Sequence, residues 1–243
     1  IQPSQADYKQ VTRGGGNGDY YCLAFAPETL QETVDIIKEA FALADLYRNP
    51  VMIAVDGLIG QMMEPVDVDR PIPDYDLPEK NWAANGTMGK RERNIVNSLY
   101  LKPVELEEHS LRLFKKYQTM KEKEQRYEIV NGEDAEIMIV AYGTMARICR
   151  SAIETLREQG VKVGLLRPIS IWPYPEKAFD ELSPTVKGLL TCELSTGQMI
   201  DDVKIANRGR LPIGFFGRTG GMLPETEEIV AAVLDMLKEL RHE

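Results

Sequence analysis

Histidine and cysteine are scarce in this sequence, which limits the kinds of catalysis and metal binding to expect. The only histidines are His109 and His242, and no Gly-x-Ser-x-Gly motif occurs. Neither histidine-based acid–base catalysis nor hydrolysis by a serine nucleophile is therefore expected. The three cysteines, Cys22, Cys149 and Cys192, form no Cys-x-x-Cys pair. We predict no metal site in this chain and interpret the thiols as buried structural residues.

Long apolar runs and an excess of basic charge are also lacking. No stretch of about 18 apolar residues occurs, so no membrane-spanning helix is expected. The chain has 29 Lys and Arg against 38 Asp and Glu, a formal net charge of −9, which argues against nucleic acid and anionic membranes as partners. The first residues do not resemble a signal peptide. Unpaired thiols suit a reducing compartment, and we predict a cytoplasmic protein.

Apolar runs and amphipathic segments alternate in the first quarter of the chain. Residues 21–56 predict a strand, a helix and a second strand, joined as a parallel crossover. The second apolar run, residues 50–57, is continuous, as expected of a strand buried on both faces. The helical positions spaced by three and four, which we assign to the buried face, are Leu30, Val34, Ile37, Phe41 and Ala44.

A proline-rich stretch divides the rest of the chain. Four prolines within it predict an extended surface connector, and a charged helix follows at residues 103–128. Residues 134–241 alternate four strands with four helical segments, which predicts an open, mostly parallel α/β sheet. We expect Thr144 to cap the first of these helices and Gly160 to end it. The predicted units are residues 1–64, 65–133 and 134–243.

Two turns that contain glycine invite comparison with phosphate-binding loops, and neither fits. The turn at residues 217–221, GRTGG, lacks the lysine and the spacing of a P-loop. The turn at Gly143 lacks the other glycines of a dinucleotide fingerprint, and the next strand ends in Arg167 rather than in an acidic residue. For residues 12–20, TRGGGNGDY, two interpretations stay open: a loop facing a cofactor or subunit, and a mobile surface turn.

Three motifs, in this order, resemble a known family. IQPSQADYKQVTRGGGNGDY is similar to the later part of the pyrimidine-binding domain of the α subunit of 2-oxoacid:ferredoxin oxidoreductases. YGTMAR with RPISIWPYP resembles the second domain of that subunit, which is shared with the carboxy-terminal domain of transketolase. GRTGGMLPETEEI resembles the closing motif of the subunit. The greatest similarity is to the branched-chain type, which acts on 3-methyl-2-oxobutanoate (2-ketoisovalerate).

The resemblance implies a subunit of an enzyme that converts a 2-oxo acid, coenzyme A and oxidised ferredoxin into acyl-CoA, carbon dioxide and reduced ferredoxin. Thiamine diphosphate with Mg²⁺ at an interface of the intact enzyme supplies the chemistry. The [4Fe–4S] clusters lie in partner subunits, so this chain alone is expected to hold no cofactor. The implied partners are the β and other subunits, ferredoxin and coenzyme A. The residues do not establish which 2-oxo acid is used.

The sequence departs from the family pattern at its start. The family's substrate loop and its thiamine-activating glutamate precede the region that matches Ile1, so we expect a segment to be missing upstream and assign no catalytic residue. The resemblance places a substrate mouth near Gln2, Ser4, Gln5 and Arg13. Arg13 either meets a carboxylate or is exposed to solvent.

The closing motif is interpreted as a subunit-interface loop, with Gly217, Arg218, Gly220 and Gly221 as its candidate residues. We expect the second domain to act as a scaffold. Two alternatives stay open. One is a subunit of a transketolase or a 2-oxoacid dehydrogenase, against which the closing motif argues. The other is an assembly module without catalysis of its own.

Overall fold

A computed structural model of the chain describes residues 1–14 and 18–242. Within this part, the helices are α1 (Tyr8–Thr12), α2 (Leu30–Tyr47), α3 (Pro103–Lys123), α4 (Gly143–Glu158), α5 (Met199–Asn207) and α6 (Thr226–His242). The strands are β1 (Leu23–Phe25), β2 (Val51–Ile53), β3 (Tyr127–Val130), β4 (Ile137–Val140), β5 (Val163–Pro168), β6 (Ser170–Trp172), β7 (Gly188–Glu193) and β8 (Ile213–Gly217). Short 3₁₀ turns lie at Ile59–Gln61 and Glu176–Phe179.

The large sheet has the strand order β3-β5-β4-β7-β8. Strands β5, β4, β7 and β8 pair in parallel, and β3 pairs antiparallel with β5 at one edge. The predicted mostly parallel α/β sheet is therefore confirmed. The sequence does not predict strand β3, because the charged helix expected over residues 103–128 includes Tyr127 and Glu128. That helix in fact ends at Lys123, and the partly buried sequence YEIV joins the sheet edge instead.

Two apolar clusters pack against the faces of the large sheet. One cluster contains inward-facing residues of β4 and β7 with α4 and α6. The other holds the opposite sheet face, α5 and the turn Glu176–Phe179, and it continues into the first part of the chain through Leu23, Phe25 and Leu43. The first 64 residues are thus packed on the large sheet by a shared apolar core.

A smaller sheet, in the order β2-β1-β6, joins the same two parts of the chain. Strands β1 and β2 are parallel, as the crossover predicts, while β6 pairs antiparallel with β1. Within the described part of the chain β2 is an edge strand. Its residues are half-buried or exposed, so the prediction of a strand buried on both faces is wrong here.

Helix α2 buries a different face from the one the sequence suggested. Ile36 and Leu43 are buried, whereas Ile37 is 44% and Phe41 74% exposed. The helix carries apolar side chains on two faces, and periodicity alone does not say which face the neighbouring sheet covers. The assignment of Ile37 and Phe41 to the buried face was therefore wrong.

The ends of α4 match the prediction only in part. Gly160 follows the helix with a φ of +80°, the left-handed conformation that glycine favours at a helix end. The residue before the first turn is Tyr142, without a side-chain cap. Thr144 lies inside the helix with a buried, unpartnered hydroxyl, so its predicted capping role is wrong.

Two arginines tie the start of α2 and the residues just before it to the large sheet and α4. Arg167 donates to Glu32 at 2.8 and 3.0 Å and to Glu128 at 2.9 Å, and its side chain is only 6% exposed. Arg150 reaches both Glu28 and Glu128 at 2.6 Å. Arg167, which ends the strand where a dinucleotide-binding fold would have an acidic residue, is therefore already paired with carboxylates of this chain.

Replacing Arg167 with methionine should lower the free energy of unfolding by about 2 kcal/mol, because the half-buried Glu32 loses its bidentate partner and Glu128 keeps only Arg150. The matched control is Arg70→Met, which removes an exposed pair with Asp35 and should cost less than about 1 kcal/mol. Urea unfolding of both variants measures the difference. Equal losses for the two variants would contradict the structural role of Arg167.

A second ion pair contains Glu39, which is 7% exposed. Arg126 donates to both carboxylate oxygens, at 2.6 and 3.0 Å, and Tyr75 also donates to Glu39. Burial works to raise the pKa of Glu39, but the hydrogen bonds from Arg126 and Tyr75 outweigh burial and lower the pKa. The folded state therefore favours the ionised carboxylate.

Because folding lowers the pKa of Glu39, its contribution to stability is complete above the ordinary glutamate pKa of about 4.3 and is lost as the pH falls through the folded-state pKa. The variant Glu39→Gln should be less stable than the parent at neutral pH and should lose less stability on acidification. Glu105→Gln, at an exposed pair, is the control. Urea midpoints measured across acidic pH test this, and parallel curves for parent and Glu39→Gln would contradict it.

Candidate functional site at the carboxyl edge of the large sheet

The order of the parallel strands reverses between β4 and β7. From β4 the chain passes through α4 to β5 on one side, and it then returns to β7 on the other side. At such a switch point the connections diverge and leave a crevice beyond the carboxyl ends of the strands, where open α/β sheets commonly bind ligands. The crevice between β4 and β7 is therefore the first place to look for a functional site.

The chain's own Gln5 occupies this crevice. Its side-chain nitrogen donates to the carbonyl of Tyr142, beyond β4, at 2.9 Å. Its side-chain oxygen accepts from the backbone N–H of Leu194, beyond β7, at 2.9 Å. The backbone N–H of Gln5 donates to the Leu194 carbonyl at 3.0 Å. Gln5 is 3% exposed, and the nitrogen and the oxygen of its side-chain amide are both hydrogen-bonded to groups of this chain.

The segment that carries Gln5, residues 1–12, is here named the strap. Its Tyr8 hydroxyl donates to Asp202 at 2.6 Å, and burial followed by the Asp202 charge raises the pKa of Tyr8 well above its ordinary value. Lys9 pairs with Asp201 at 2.7 Å. The strap is thus fixed along the first turn of α5.

Arg13, directly after the strap, pairs with a carboxylate of this chain. Its guanidinium donates to Asp202 at 2.7 Å, and its side chain remains 39% exposed. The carboxylate belongs to this chain and the side chain is still partly open to solvent, so a contact of Arg13 with a substrate carboxylate stays a prediction. The neighbouring glycine cluster falls partly outside the described residues, which resume at Gly18.

Gln2 and Ser4 lie on the outer side of the strap. The Ser4 hydroxyl accepts from the backbone N–H of Ala6 at 3.2 Å. Gln2 packs on Gly221, whose φ is +85°, and a Cβ added there would lie 2.6 Å from the Gln2 side chain. The substrate-mouth candidate and the interface-loop candidate are therefore neighbours.

The glycine-rich turn at residues 217–221 is held close to the sheet. A Cβ on Gly217 would clash with the carbonyl oxygen of Ser195, and Gly220 has a φ of +66°. Arg218 pairs with Glu228 in the first turn of α6. Its backbone N–H donates to the carbonyl of Glu193 at 3.1 Å. The glycines thus serve close backbone approach and a left-handed turn, and the interface role stays a prediction.

Glu193 and Asp202 help to build the crevice, and the sequence analysis does not predict either of them. The fully buried carboxylate of Glu193 accepts the backbone N–H groups of Met199 at 3.0 Å and Ile200 at 2.9 Å, and it also accepts the Ser195 hydroxyl at 2.8 Å. It therefore caps α5 from the end of β7. An acidic residue that ends a buried strand just before a helix was the signal available in the sequence.

The space left beside the strap is small. A cavity of about 20 Å³ lies next to Gln5, Asp56, Tyr142 and Gly143, which is room for roughly one water molecule. Among the described residues, no group of three or more His, Cys, Asp or Glu side chains is placed to hold a metal ion. No helix in that part of the chain is long and apolar enough to cross a bilayer.

Solved structures share this fold. A 2-oxoglutarate:ferredoxin oxidoreductase from Magnetococcus marinus, with 2-oxoglutarate, coenzyme A and succinyl-CoA bound, superposes with a TM-score of 0.78 at 20% identity, covering 96% of this chain and 45% of that one. A split-gene transketolase, an inactive β4 tetramer, gives 0.51 at 16% identity, covering 89% and 57%. The chain therefore belongs, by fold, to the class of α/β proteins that includes these enzymes.

Sequence comparison identifies the family within that class. Residues 1–129 match the thiamine-diphosphate-binding domain of pyruvate flavodoxin/ferredoxin oxidoreductases, and residues 135–229 match core domain II of pyruvate:ferredoxin oxidoreductase. The ketoisovalerate oxidoreductase subunit VorB of Methanothermobacter marburgensis is 41% identical, over 98% of this chain and 67% of that relative. The 2-oxoglutarate synthase subunit KorA of Archaeoglobus fulgidus is 31% identical, over 92% and 64%. The chain belongs to the 2-oxoacid:ferredoxin oxidoreductase family, as its three motifs indicate.

The chain spans about two thirds of the length of these curated relatives. Beside the strap, Gln5 fills the switch-point crevice, and the remaining cavity of about 20 Å³ is far smaller than a thiamine diphosphate molecule.

Replacing Gln5 with leucine should leave the Leu194 N–H without a partner and remove one of the two hydrogen bonds to the Tyr142 carbonyl. It should lower the free energy of unfolding by about 2 kcal/mol. Backbone amides of the strap should exchange with deuterium at least about tenfold faster. Gln10→Leu changes an exposed strap residue and should cost less than about 0.5 kcal/mol. Unaltered exchange in the strap of Gln5→Leu would show that the strap is fixed by other contacts.

Proposed function

We propose that this chain forms the larger part of the α-type subunit of a thiamine-diphosphate-dependent 2-oxoacid:ferredoxin oxidoreductase. The assembled enzyme converts a 2-oxo acid, coenzyme A and oxidised ferredoxin into acyl-CoA, carbon dioxide and reduced ferredoxin. The observation that carries the proposal is the match of two successive family domains over residues 1–129 and 135–229. The relatives are named as subunits, which supports an assembly of several chains. A cytoplasmic location is part of the proposal.

The substrate is a branched-chain 2-oxo acid of the 3-methyl-2-oxobutanoate type. Identity to a ketoisovalerate oxidoreductase subunit is 41%, whereas identity to 2-oxoglutarate synthase subunits lies between 27% and 31%. The difference supports an apolar rather than a carboxylate-binding substrate pocket. Residues outside the described chain complete that pocket, because no cavity of substrate size lies beside the strap.

The role of residues 134–243 is that of a scaffold. The switch-point crevice, where a ligand would bind in a free-standing domain of this type, is filled by Gln5 and ringed by groups that already have partners. Thiamine diphosphate and Mg²⁺ are held at an interface to which the first part of this chain contributes. The [4Fe–4S] clusters lie in partner subunits. The domain orients the strap and the segments beyond it.

The purified, fully assembled enzyme should reduce a viologen dye when given 3-methyl-2-oxobutanoate and coenzyme A. Its kcat/KM should exceed that for 2-oxoglutarate at least about tenfold, because an apolar pocket leaves a second carboxylate unpaired. This chain without the other subunits should show no turnover. Reduction of lipoamide instead of viologen would point to a dehydrogenase-type enzyme. A preference for 2-oxoglutarate would overturn the substrate class alone.

A further inference from the structure

Two of the three cysteines lie together in the interior of the chain. Cys149 on α4 and Cys192 on β7 are both 0% exposed, and both belong to the apolar cluster that packs α4 and α6 on the large sheet. Their thiols are hydrogen-bonded to each other. Cys22, just before β1, is only half-buried and lies outside that cluster. The chain therefore has one buried dithiol and one separate thiol.

The fold places the two thiols face to face through two regular spacings. Side chains alternate between the two faces of a strand, so Leu190 and Cys192 point to the same side of β7. On α4, Met145, Cys149 and Ile153 recur at helical spacing along the buried face. The contact between the thiols is thus set by the packing of a helix on a sheet.

The dithiol lies close to the groups that hold Gln5. The Tyr142 carbonyl and the backbone N–H and carbonyl of Leu194 are here named the Gln5 seat. Cys192 stands two residues before Leu194 on the same strand. Cys149 lies within the first two turns of α4, which begins directly after Tyr142. A change in the distance between α4 and β7 therefore acts on both sides of the seat.

In the reduced state the dithiol is unreactive. Burial raises the pKa of the Cys192 thiol well above its ordinary value, and the hydrogen bond to Cys149 raises it further. Thiol oxidation proceeds through the thiolate, and an oxidant reaches a fully buried sulfur only when the core opens locally. We therefore expect slow oxidation, at a rate set by local opening rather than by the concentration of oxidant.

We propose that Cys149 and Cys192 close into a disulfide under sustained exposure to a two-electron thiol oxidant, such as a low-molecular-weight disulfide or an azo compound. The two thiols lose two electrons and two protons to the oxidant, and one S–S bond replaces two S–H bonds. The sulfur atoms move from non-bonded contact to about 2.05 Å, which draws α4 and β7 together. The Gln5 seat is displaced and the strap loosens. This inference does not depend on the proposed function.

Mass spectrometry of the full subunit tests the modification. The protein is kept free of oxygen, treated with diamide for increasing times, alkylated in denaturant and digested without reductant. We expect a linked peptide pair that contains Cys149 and Cys192 and that separates after treatment with dithiothreitol. Raising the diamide concentration about tenfold should change the rate of linkage less than about twofold, because opening limits the reaction.

Variants separate the dithiol from the third cysteine. Cys149→Val and Cys192→Val should each abolish the linkage, whereas the matched control Cys22→Val should leave it unchanged. In the oxidised parent, backbone amides of the strap should exchange with deuterium at least about fivefold faster than in the reduced parent. In Cys149→Val, diamide should leave strap exchange unaltered. Circular dichroism establishes that each variant is folded, and Cys149→Ala replaces Cys149→Val if valine is not accommodated.

Three outcomes would count against the proposal. Thiols of Cys149 and Cys192 that stay reduced in the folded subunit, while the denatured subunit forms the disulfide, overturn it. Oxidation of either sulfur to a sulfinic acid or a mixed disulfide without the linkage also overturns it. A linkage that forms without faster exchange of the strap overturns the effect on the Gln5 seat.

Discussion

The amide of Gln5 is the contact on which the arrangement of the two parts of the chain depends. Strands β4 and β7 separate at their carboxyl ends, which leaves a carbonyl at Tyr142 and an N–H at Leu194 without a neighbouring strand. A glutamine side chain carries a donor and an acceptor on one planar group and satisfies both. Glutamate would lack the donor, and asparagine is one methylene shorter. Once Gln5 is seated, Tyr8 and Arg13 come within reach of Asp202.

The rest of the junction is polar as well as apolar, and the charges fix its orientation. The shared core packs Phe25 and Leu23 against the large sheet, but apolar contacts tolerate small rotations. Arg167 and Arg126 each present a planar fork to a glutamate of α2, and bidentate pairing is directional. The apolar core therefore holds the two parts together, while the arginines fix the angle between them.

The sequence predicted the elements whose signals are local. Strands β4, β5 and β7 lie in largely apolar runs and are buried from end to end. Such runs can be recognised as buried strands from the local sequence alone. The antiparallel strands β3 and β6 were not predicted, because each is short and takes its strand character from a distant partner. The buried face of α2 was assigned wrongly for the same reason. Parts of the chain that are distant in sequence decide which of the two apolar faces of α2 is buried. Helical periodicity carries no information about that choice.

In the candidate site, too, the sequence points to single residues, whereas only the structure shows which partners they contact. Gln5 and Arg13 were singled out by resemblance, but their partners Tyr142, Leu194 and Asp202 lie more than a hundred residues away. No spacing rule connects residues so far apart. Glu193 could have been found locally, as an acid between a buried strand and a helix. Its role could be assigned only from the structure, which shows that its carboxylate accepts hydrogen bonds from the first N–H groups of α5.

The glycine-rich turn at residues 217–221 illustrates why composition alone misleads. A phosphate cradle needs free backbone N–H groups and an uncompensated positive field. Here the N–H of Arg218 is already bonded to the Glu193 carbonyl, and its guanidinium pairs with Glu228. Gly217 is crowded by Ser195, and Gly221 receives Gln2. These glycines let two backbone segments and the strap approach one another, so the turn supports the scaffold role proposed for this domain and leaves the cofactor chemistry to surfaces beyond it.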